Sequence, residues 1–358
     1  MMRRLLKTVL SWGIVVGTLL APASAYGQSF LVLTDFGGST NGAESFYGYL
    51  TKGSDGNIYG TTYEGGAYDQ GTVFKVTPGG TLTALHSFCS QLNCTDGAEP
   101  TAGLLLASNG NFYGTTQNGG NKGFWGTVFE ITPAGQLTTI YSFCSQTNCT
   151  DGGIPSSGLI QASNGNFYGT TLSGGANDLG TIFEITPAGQ LTTIYSFCSQ
   201  TNCADGYNAW AGLIQGANGN FYGTTENGGA NGDGTAYEIT PSGQLTTLYS
   251  FCSQPGCTDG ANPIAGLVEV GGNLYGTTVY GGTNGVGTVF EITAAGQFTT
   301  LYNFCSLSDC TDGLHPYAGL LLASDGNLYG TTSGFNGPNR VFTFGTVFGM
   351  TTAGQLTT

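Results

Sequence analysis

The motif Tyr-Gly-Thr-Thr, preceded by Ile, Phe or Leu, recurs six times. Its tyrosine falls at 59, 113, 168, 222, 275 and 329, in steps of 54, 55, 54, 53 and 54 residues. A fixed period of this length describes one supersecondary unit that cannot bury its apolar face alone and must stack on its neighbours. The chain is therefore a solenoid, a propeller or an array.

The content of each unit selects among these. The second and third units carry four strand-type runs: residues 102–107 (AGLLLA), 111–116 (NFYGTT), 126–132 (GTVFEIT) and 136–143 (QLTTIYSF), here called A to D from the axis outward. They are rich in β-branched and aromatic residues and bounded by turn residues. Asn109-Gly110 separates A from B, and an Asn-Gly pair suits a tight hairpin because both central residues need positive φ. Gly makes up 63 of 358 residues, more than twice the usual share of about 7%. No stretch sustains a helical period. Four antiparallel strands per repeat describe a propeller blade, so the expected fold is all-β, a β-propeller of six four-stranded blades. The run at residues 30–36 (FLVLTDF) matches a D run and precedes the first A run, so it is expected to serve as an N-terminal outer strand that closes the ring. The chain also reaches AGQLTT at 353–358, half of a further D run. That stub either competes with 30–36 for the same edge or marks a truncated array of seven or more blades.

The N-terminus has the form of a secretory signal. Arg3, Arg4 and Lys7 precede an apolar stretch from Val9 to Ala21, and Ala23-Ser24-Ala25 provides a small-residue cleavage site. The apolar stretch is shorter than the roughly 20 residues of a spanning helix. The expected mature chain is 26–358, a single propeller domain without a membrane span, secreted or held at the cell surface or in the periplasm. All ten cysteines lie in five copies of C-x4-C: Cys89/Cys94, Cys144/Cys149, Cys198/Cys203, Cys252/Cys257 and Cys305/Cys310. Regular, even spacing in an exported chain predicts disulfides, most simply within each copy. Two thiolates per repeat do not make a four-ligand zinc site.

With these residues in view, the repeat resembles the GloVer repeat of bacterial choice-of-anchor tandem-repeat proteins. The resemblance rests on D/N-G-N-[FLI]-Y-G-T-T, a Gly-Gly pair, G-T-V-F-E-I-T-P-A-G and L-T-T-L-Y-S-F, and it covers residues 30–358. It implies a surface or secreted protein and no particular activity. Kelch repeats share the Gly-Gly pair, but their downstream Tyr and Trp are not in register here, and the WD signature is absent.

A formal net charge of −14 excludes a basic nucleic-acid surface. The copies then show where function lies. A–B and C–D turns repeat almost unchanged, as a shared tight turn requires. B–C and D–A loops diverge, and propeller geometry puts both on one face. These loops hold Tyr68, Phe124, Trp125, Tyr207, Trp210, His315, Tyr317 and Arg340. Aromatic rings there suit stacking on sugar faces or on an extended ligand; the alternative is that they cover blade rims. The expected protein is a monomeric binding or scaffold module for a glycan or a cell-surface partner, with no cofactor and no metal.

Three groups of charged residues are weighed against catalysis. Asp96, Asp151, Asp205, Asp259 and Asp312, each before Gly, are expected to satisfy turn N–H groups rather than bind calcium. Glu130, Glu184, Glu238 and Glu291 recur in C runs and are expected to pair with nearby donors. Glycoside hydrolysis needs two carboxyls about 5–9.5 Å apart; Glu64, Asp69, Glu99, Asp178, Glu226, Asp233 and Glu269 are the donors available to a carbohydrate-active enzyme at the axial funnel. His86 replaces the Tyr of a D run and is expected to pack. A purely structural envelope protein is the third alternative.

Overall fold

The computed structural model describes residues 34–36, 42–43, 48–334 and 345–357. The expected signal peptide and Arg340 lie outside them. The fold is a six-bladed β-propeller of four-stranded antiparallel sheets, each with its strands in sequence order. B strands span Ile58–Thr62, Phe112–Thr116, Phe167–Thr170, Phe221–Thr225, Asn273–Thr278 and Leu328–Thr331. In the second blade, C is Thr127–Ile131 and D is Leu137–Ser142. Every complete D strand shifts register against C at one point, between Val128 and Phe129 in this blade.

The A strands are shorter than their apolar runs suggest. In the second blade only Leu105–Leu106 pairs with B. The preceding residues line the axis and bond the neighbouring blade, as where the Thr51 hydroxyl donates to the Leu104 carbonyl. Axial positions are Gly103, Gly158, Gly212, Gly266 and Gly319, and a Cβ on Gly212 would lie 3.0 Å from the Gly158 carbonyl. The first blade carries Tyr49 at the corresponding place, with its ring against Gly103 and its hydroxyl beside Gly158 of the third blade.

Five apolar clusters join consecutive blades. Their pattern is constant: the D-strand Phe of one blade meets the C-strand aromatic of the next. The ring centroids are 5.2 Å apart for Phe88–Phe129 and Phe143–Phe183, and 5.0 Å apart for Phe251–Phe290. Beside it, a B-strand Tyr lies on the next B-strand Phe, as in Tyr113–Phe167 at 4.1 Å. The B-strand Thr completes the contact by bonding the next blade's backbone, as Thr115 does to the Ser157 carbonyl at 2.9 Å.

The five disulfides form within each C-x4-C copy, as expected: Cys89–Cys94, Cys144–Cys149, Cys198–Cys203, Cys252–Cys257 and Cys305–Cys310. The second member of each pair has a backbone role as well. Cys94, Cys149, Cys203, Cys257 and Cys310 each end a short 3-10 turn: Leu92–Cys94, Thr147–Cys149, Thr201–Cys203, Pro255–Cys257 and Ser308–Cys310. All five are left-handed, with φ of 51–53°, because the chain must double back to return its sulfur to the first cysteine. The reversal also gives these residues a backbone role. The Cys94 carbonyl accepts from the Gly97 and Gly120 N–H groups, and that of Cys203 from Gly206 and Gly229, all at 2.9 Å. Each thereby joins its D–A loop to the Gly-Gly pair of the B–C loop. Cys310 accepts from Gly313 at 2.9 Å and is buried, whereas Cys94 and Cys203 are half-buried. Asp233 has an oxygen within 4.8 Å of the Cys252 and Cys257 sulfurs, but both are committed to a disulfide and neither is a thiolate ligand.

The buried Asp that follows each turn accepts from that loop and from the adjacent D strand. Asp151 takes the Ser145 N–H at 2.8 Å, the Gln146 N–H at 3.2 Å and the Tyr141 hydroxyl at 2.8 Å. These aspartates are structural, as expected. His86 packs as expected, its ring meeting Phe88 edge-on at 5.2 Å, and it takes on a polar role besides. It stands where Tyr141 stands, and its Nε2 lies 3.0 Å from Asp96 Oδ2, doing the work of the phenol.

The expected N-terminal closing strand falls mostly outside the described residues, and the C-terminal stub is placed. The outer edge of the sixth blade pairs with the C-terminal segment Leu356–Thr357, through Met350↔Leu356 and Gly349↔Thr357. Of the N-terminal run, 30–33 lie outside the described residues and 34–36 carry no strand.

Two outcomes follow from this architecture. Gly110 and Gly126 share φ near +82°, but a Cβ at Gly110 meets open space whereas one at Gly126 would sit 2.2 Å from the Thr116 carbonyl. Urea unfolding should show Gly110→Ala costing about 1 kcal/mol from backbone strain, and Gly126→Ala at least ~3 kcal/mol; equal losses would contradict the packing described. In Asp259, burial pushes the carboxyl up, but Tyr249, Ser253 and Gln254 outweigh it and hold it below the ordinary 3.8. A lowered carboxylate contributes stability above its unfolded value and loses it as pH falls through the folded one. The melting temperature should therefore fall below about pH 4, and less steeply in Asp259→Asn than in the parent.

Candidate functional site

The D–A and B–C loops lie side by side. Each D–A segment forms a bridge to the loop after its own B strand: Ala98↔Asn118, Gly153↔Ser173, Tyr207↔Asn227, Ala261↔Tyr280 and Leu314↔Ser333. The following residue is left-handed in every copy: Glu99, Ile154, Asn208, Asn262 and His315, with φ between 52° and 57°. Its backbone ties two blades. The Ile154 N–H donates to the Trp125 carbonyl of the preceding blade at 2.9 Å, and its own carbonyl accepts from Leu172 at 3.1 Å. For a β-branched residue this conformation costs about 1–2 kcal/mol, which these blade-to-blade bonds offset. Proline follows in four copies (Pro100, Pro155, Pro263 and Pro316), and each Pro Cδ sits close to a glycine of the preceding blade. The fourth blade has Ala209 in its place, and Trp210 next to it.

The predicted site residues are spread over this face in separate groups. In the fourth blade, Trp210 is 39% exposed and its indole N–H donates to Glu226 Oε2 at 2.7 Å. Asn227 donates to the same oxygen at 3.3 Å, and Asn262 holds the Glu226 carbonyl at 3.1 Å. Tyr207 is half-buried against the core between the third and fourth blades. Trp125 is also half-buried, its ring lying over Gly153, while its neighbour Phe124 is exposed. Tyr68 is exposed in the first blade. Around the sixth blade's entry, His315 Nδ1 lies 2.9 Å from the Val279 carbonyl and its ring meets Tyr280 edge-on at 5.2 Å, with Tyr317 exposed nearby in sequence. Tyr280 and Tyr49 were not among the sequence candidates. Tyr49 was detectable as the one departure from an axial Gly when the A runs are aligned. Burial pushes its phenol up, although half its surface meets solvent.

Four of the carboxylates offered for catalysis, Glu226 above and Glu99, Asp69 and Asp178, accept hydrogen bonds from the protein. Glu99 accepts from the Tyr63 hydroxyl at 2.9 Å and from Asn118. Asp69 and Asp178 accept N–H groups of their own loops, from Gly65 and Gly174. The C-strand glutamates pair as expected. Glu130 accepts from Tyr113 at 2.8 Å and Asn111 at 2.7 Å, and Glu184 repeats this with Tyr168 and Asn166. Burial first, and the carboxylate partner second, push Tyr113 and Tyr168 up to about 12. In the first and sixth blades Lys75 and Gly349 replace the glutamate, and the A–B turn supplies the acid instead: Tyr59 donates to Asp55 and Tyr329 to Asp325. Each of these tyrosines thus keeps one carboxylate. Open grooves of about 510 and 540 Å³ flank the outer strands of the second and fourth blades and reach loop residues, Gln91, Thr95 and Asn121 in one and Gln200, Ala204 and Asn231 in the other.

Among the described residues, no helix is long and apolar enough to cross a membrane. Comparison with curated proteins finds no match. Solved structures with a similar fold include a luciferin-regenerating enzyme, at 12% identity and TM-score 0.47, covering 88% of this chain and 92% of that one. A puromycin hydrolase matches at 14% identity and TM-score 0.47, covering 84% of this chain and 45% of that one. A Mycobacterium tuberculosis puromycin-hydrolyzing peptidase matches at 12% identity and TM-score 0.44, with 81% and 43% covered. A family model, the Gloeobacter/Verrucomicrobia repeat, matches residues 17–204 and 199–358. With six copies of one blade inside those two matches, the chain belongs to the Gloeobacter/Verrucomicrobia repeat family.

Proposed function

We infer that this is an exported binding module that takes carbohydrate on its D–A and B–C loop face, with Trp210 as the platform and Glu226 as the hydroxyl acceptor. The Trp210–Glu226 bond carries this reading. An exposed indole already fixed by a carboxylate loses little side-chain entropy when a sugar ring stacks on it. Both donors to Glu226 reach Oε2, and Oε1 takes no hydrogen bond among the described residues, so it is open to a sugar hydroxyl. The disulfide in each C-x4-C loop and the signal-like N-terminus support an oxidising, extracytoplasmic setting.

A glycan array probed with the parent, Trp210→Ala and Glu226→Gln tests this. The parent should bind one glycan class, Trp210→Ala should lose at least about tenfold in affinity, corresponding to ~1.4 kcal/mol, and Glu226→Gln should lose less. An array without signal, or equal signal from all three proteins, would refute it.

A further inference from the structure

The six blades do not bury their faces equally. In the first five, the second C-strand residue (Val73, Val128, Ile182, Ala236 and Val289) has 0% exposure beneath the following blade; in the sixth, Val347 is 71% exposed. Tyr329 is 37% exposed where Tyr59, Tyr113, Tyr168 and Tyr275 are at most 3%. Thr331 is exposed, whereas the corresponding Thr61, Thr115, Thr170, Thr224 and Thr277 are buried. On the leading face of the first blade, Leu50 is 61% exposed while Leu104, Leu159, Leu213 and Leu267 are buried. Among the described residues, no apolar cluster joins the sixth blade to the first.

The outer strand of the sixth blade is also incomplete. The fifth blade pairs C with D over five positions, from Ile292↔Phe298 to Val289↔Tyr302 and Thr288↔Asn303. Among the described residues, the sixth pairs only Met350 and Gly349, nearest the C–D turn. Among the same residues, no strand pairs with the outer edge at Thr346 and Val347.

Phe36 identifies the missing piece. Its ring meets Phe74 of the first blade at 5.0 Å and 70°. That is the contact each D-strand Phe makes with the next blade, as in Phe304–Phe348 at 5.2 Å and 63°. Phe36 therefore stands where the residue ending a sixth-blade outer strand belongs. The register of the first blade, Thr72↔Ser87 and Val73↔His86 with Phe88 following, then sets Asp35 opposite Thr346 and Thr34 opposite Val347.

We propose that Thr34–Phe36 add to the open edge at Thr346–Val347, giving the sixth blade an outer strand made of two pieces and closing the seam onto the first blade. The pieces do not overlap. Leu356–Thr357 takes the positions near the turn, and Thr34–Phe36 those near the loop face. They meet where every complete D strand already breaks register, between Val289 and Phe290 in the fifth blade, so a chain break there interrupts no regular ladder. An unpaired apolar edge is otherwise a template for association, and this segment covers it.

Amide hydrogen exchange of the full chain tests this, read on peptides covering 345–350 in the parent, Thr34→Pro and Phe36→Ala. Thr34→Pro removes a backbone donor and Phe36→Ala the anchoring ring. Exchange in the parent should be at least about tenfold slower than in either variant, while peptides covering 112–116 stay equally protected in all three and report an intact fold. Equal exchange at 345–350 in all three proteins would overturn the proposal. Protection there that rises with protein concentration, alongside a dimer in light scattering, would assign the edge to a second copy and overturn it as well.

Discussion

The contact on which the structure depends is the one between consecutive blades, where an outer-strand Phe meets the aromatic at the centre of the next C strand. It recurs with nearly constant geometry, from Phe88–Phe129 to Phe304–Phe348. A single four-stranded sheet of this size buries too little apolar surface to be stable alone. Blade faces are apolar because each must be covered by a neighbour. The Thr hydroxyls that bond the next blade's backbone fix how far one sheet slides against another, so packing and hydrogen bonding set the same register.

This division of labour explains the chemistry of the two ends. On the A–B and C–D side, each B-strand Tyr with a hydroxyl partner holds one carboxylate, supplied either by a C-strand Glu such as Glu130 or by a turn Asp such as Asp55. The interaction is kept while the residue that supplies the accepting carboxylate moves, which marks it as structural. On the opposite side the backbone pattern is kept, with a left-handed residue bridging two blades, and the side chain there changes from Glu99 to Ile154 to His315. A face whose backbone is constrained and whose side chains are free can diversify without threatening the fold.

Much of this was legible in the chain. The period, the Asn-Gly turns and the C-x4-C spacing led directly to blades, hairpins and local disulfides, because each is a local signal. The role of Asp151 was legible for the same reason: its partners Ser145 and Gln146 lie within six residues. What was hidden depends on distant residues. The spacing pairs Cys94 with Cys89 but says nothing of the Cys94 carbonyl, whose partner Gly120 lies in another loop. The apolar AGLLLA run looked like a full strand, yet only Leu105–Leu106 is paired, since the Ala102 and Leu104 carbonyls accept from threonines of the preceding blade. Trp125 and Trp210 were indistinguishable as loop aromatics. Gly153 beneath one and Glu226 beside the other separate them, and neither contact is visible without coordinates.

A double-mutant cycle on Phe143 and Phe183, whose rings meet edge-on at 5.2 Å across the second and third blades, tests the inter-blade contact most directly. Unfolding free energies of the parent, Phe143→Leu, Phe183→Leu and the double variant should reveal a favourable coupling of about 0.5–1.5 kcal/mol. Additive losses, with coupling indistinguishable from zero, would contradict the account.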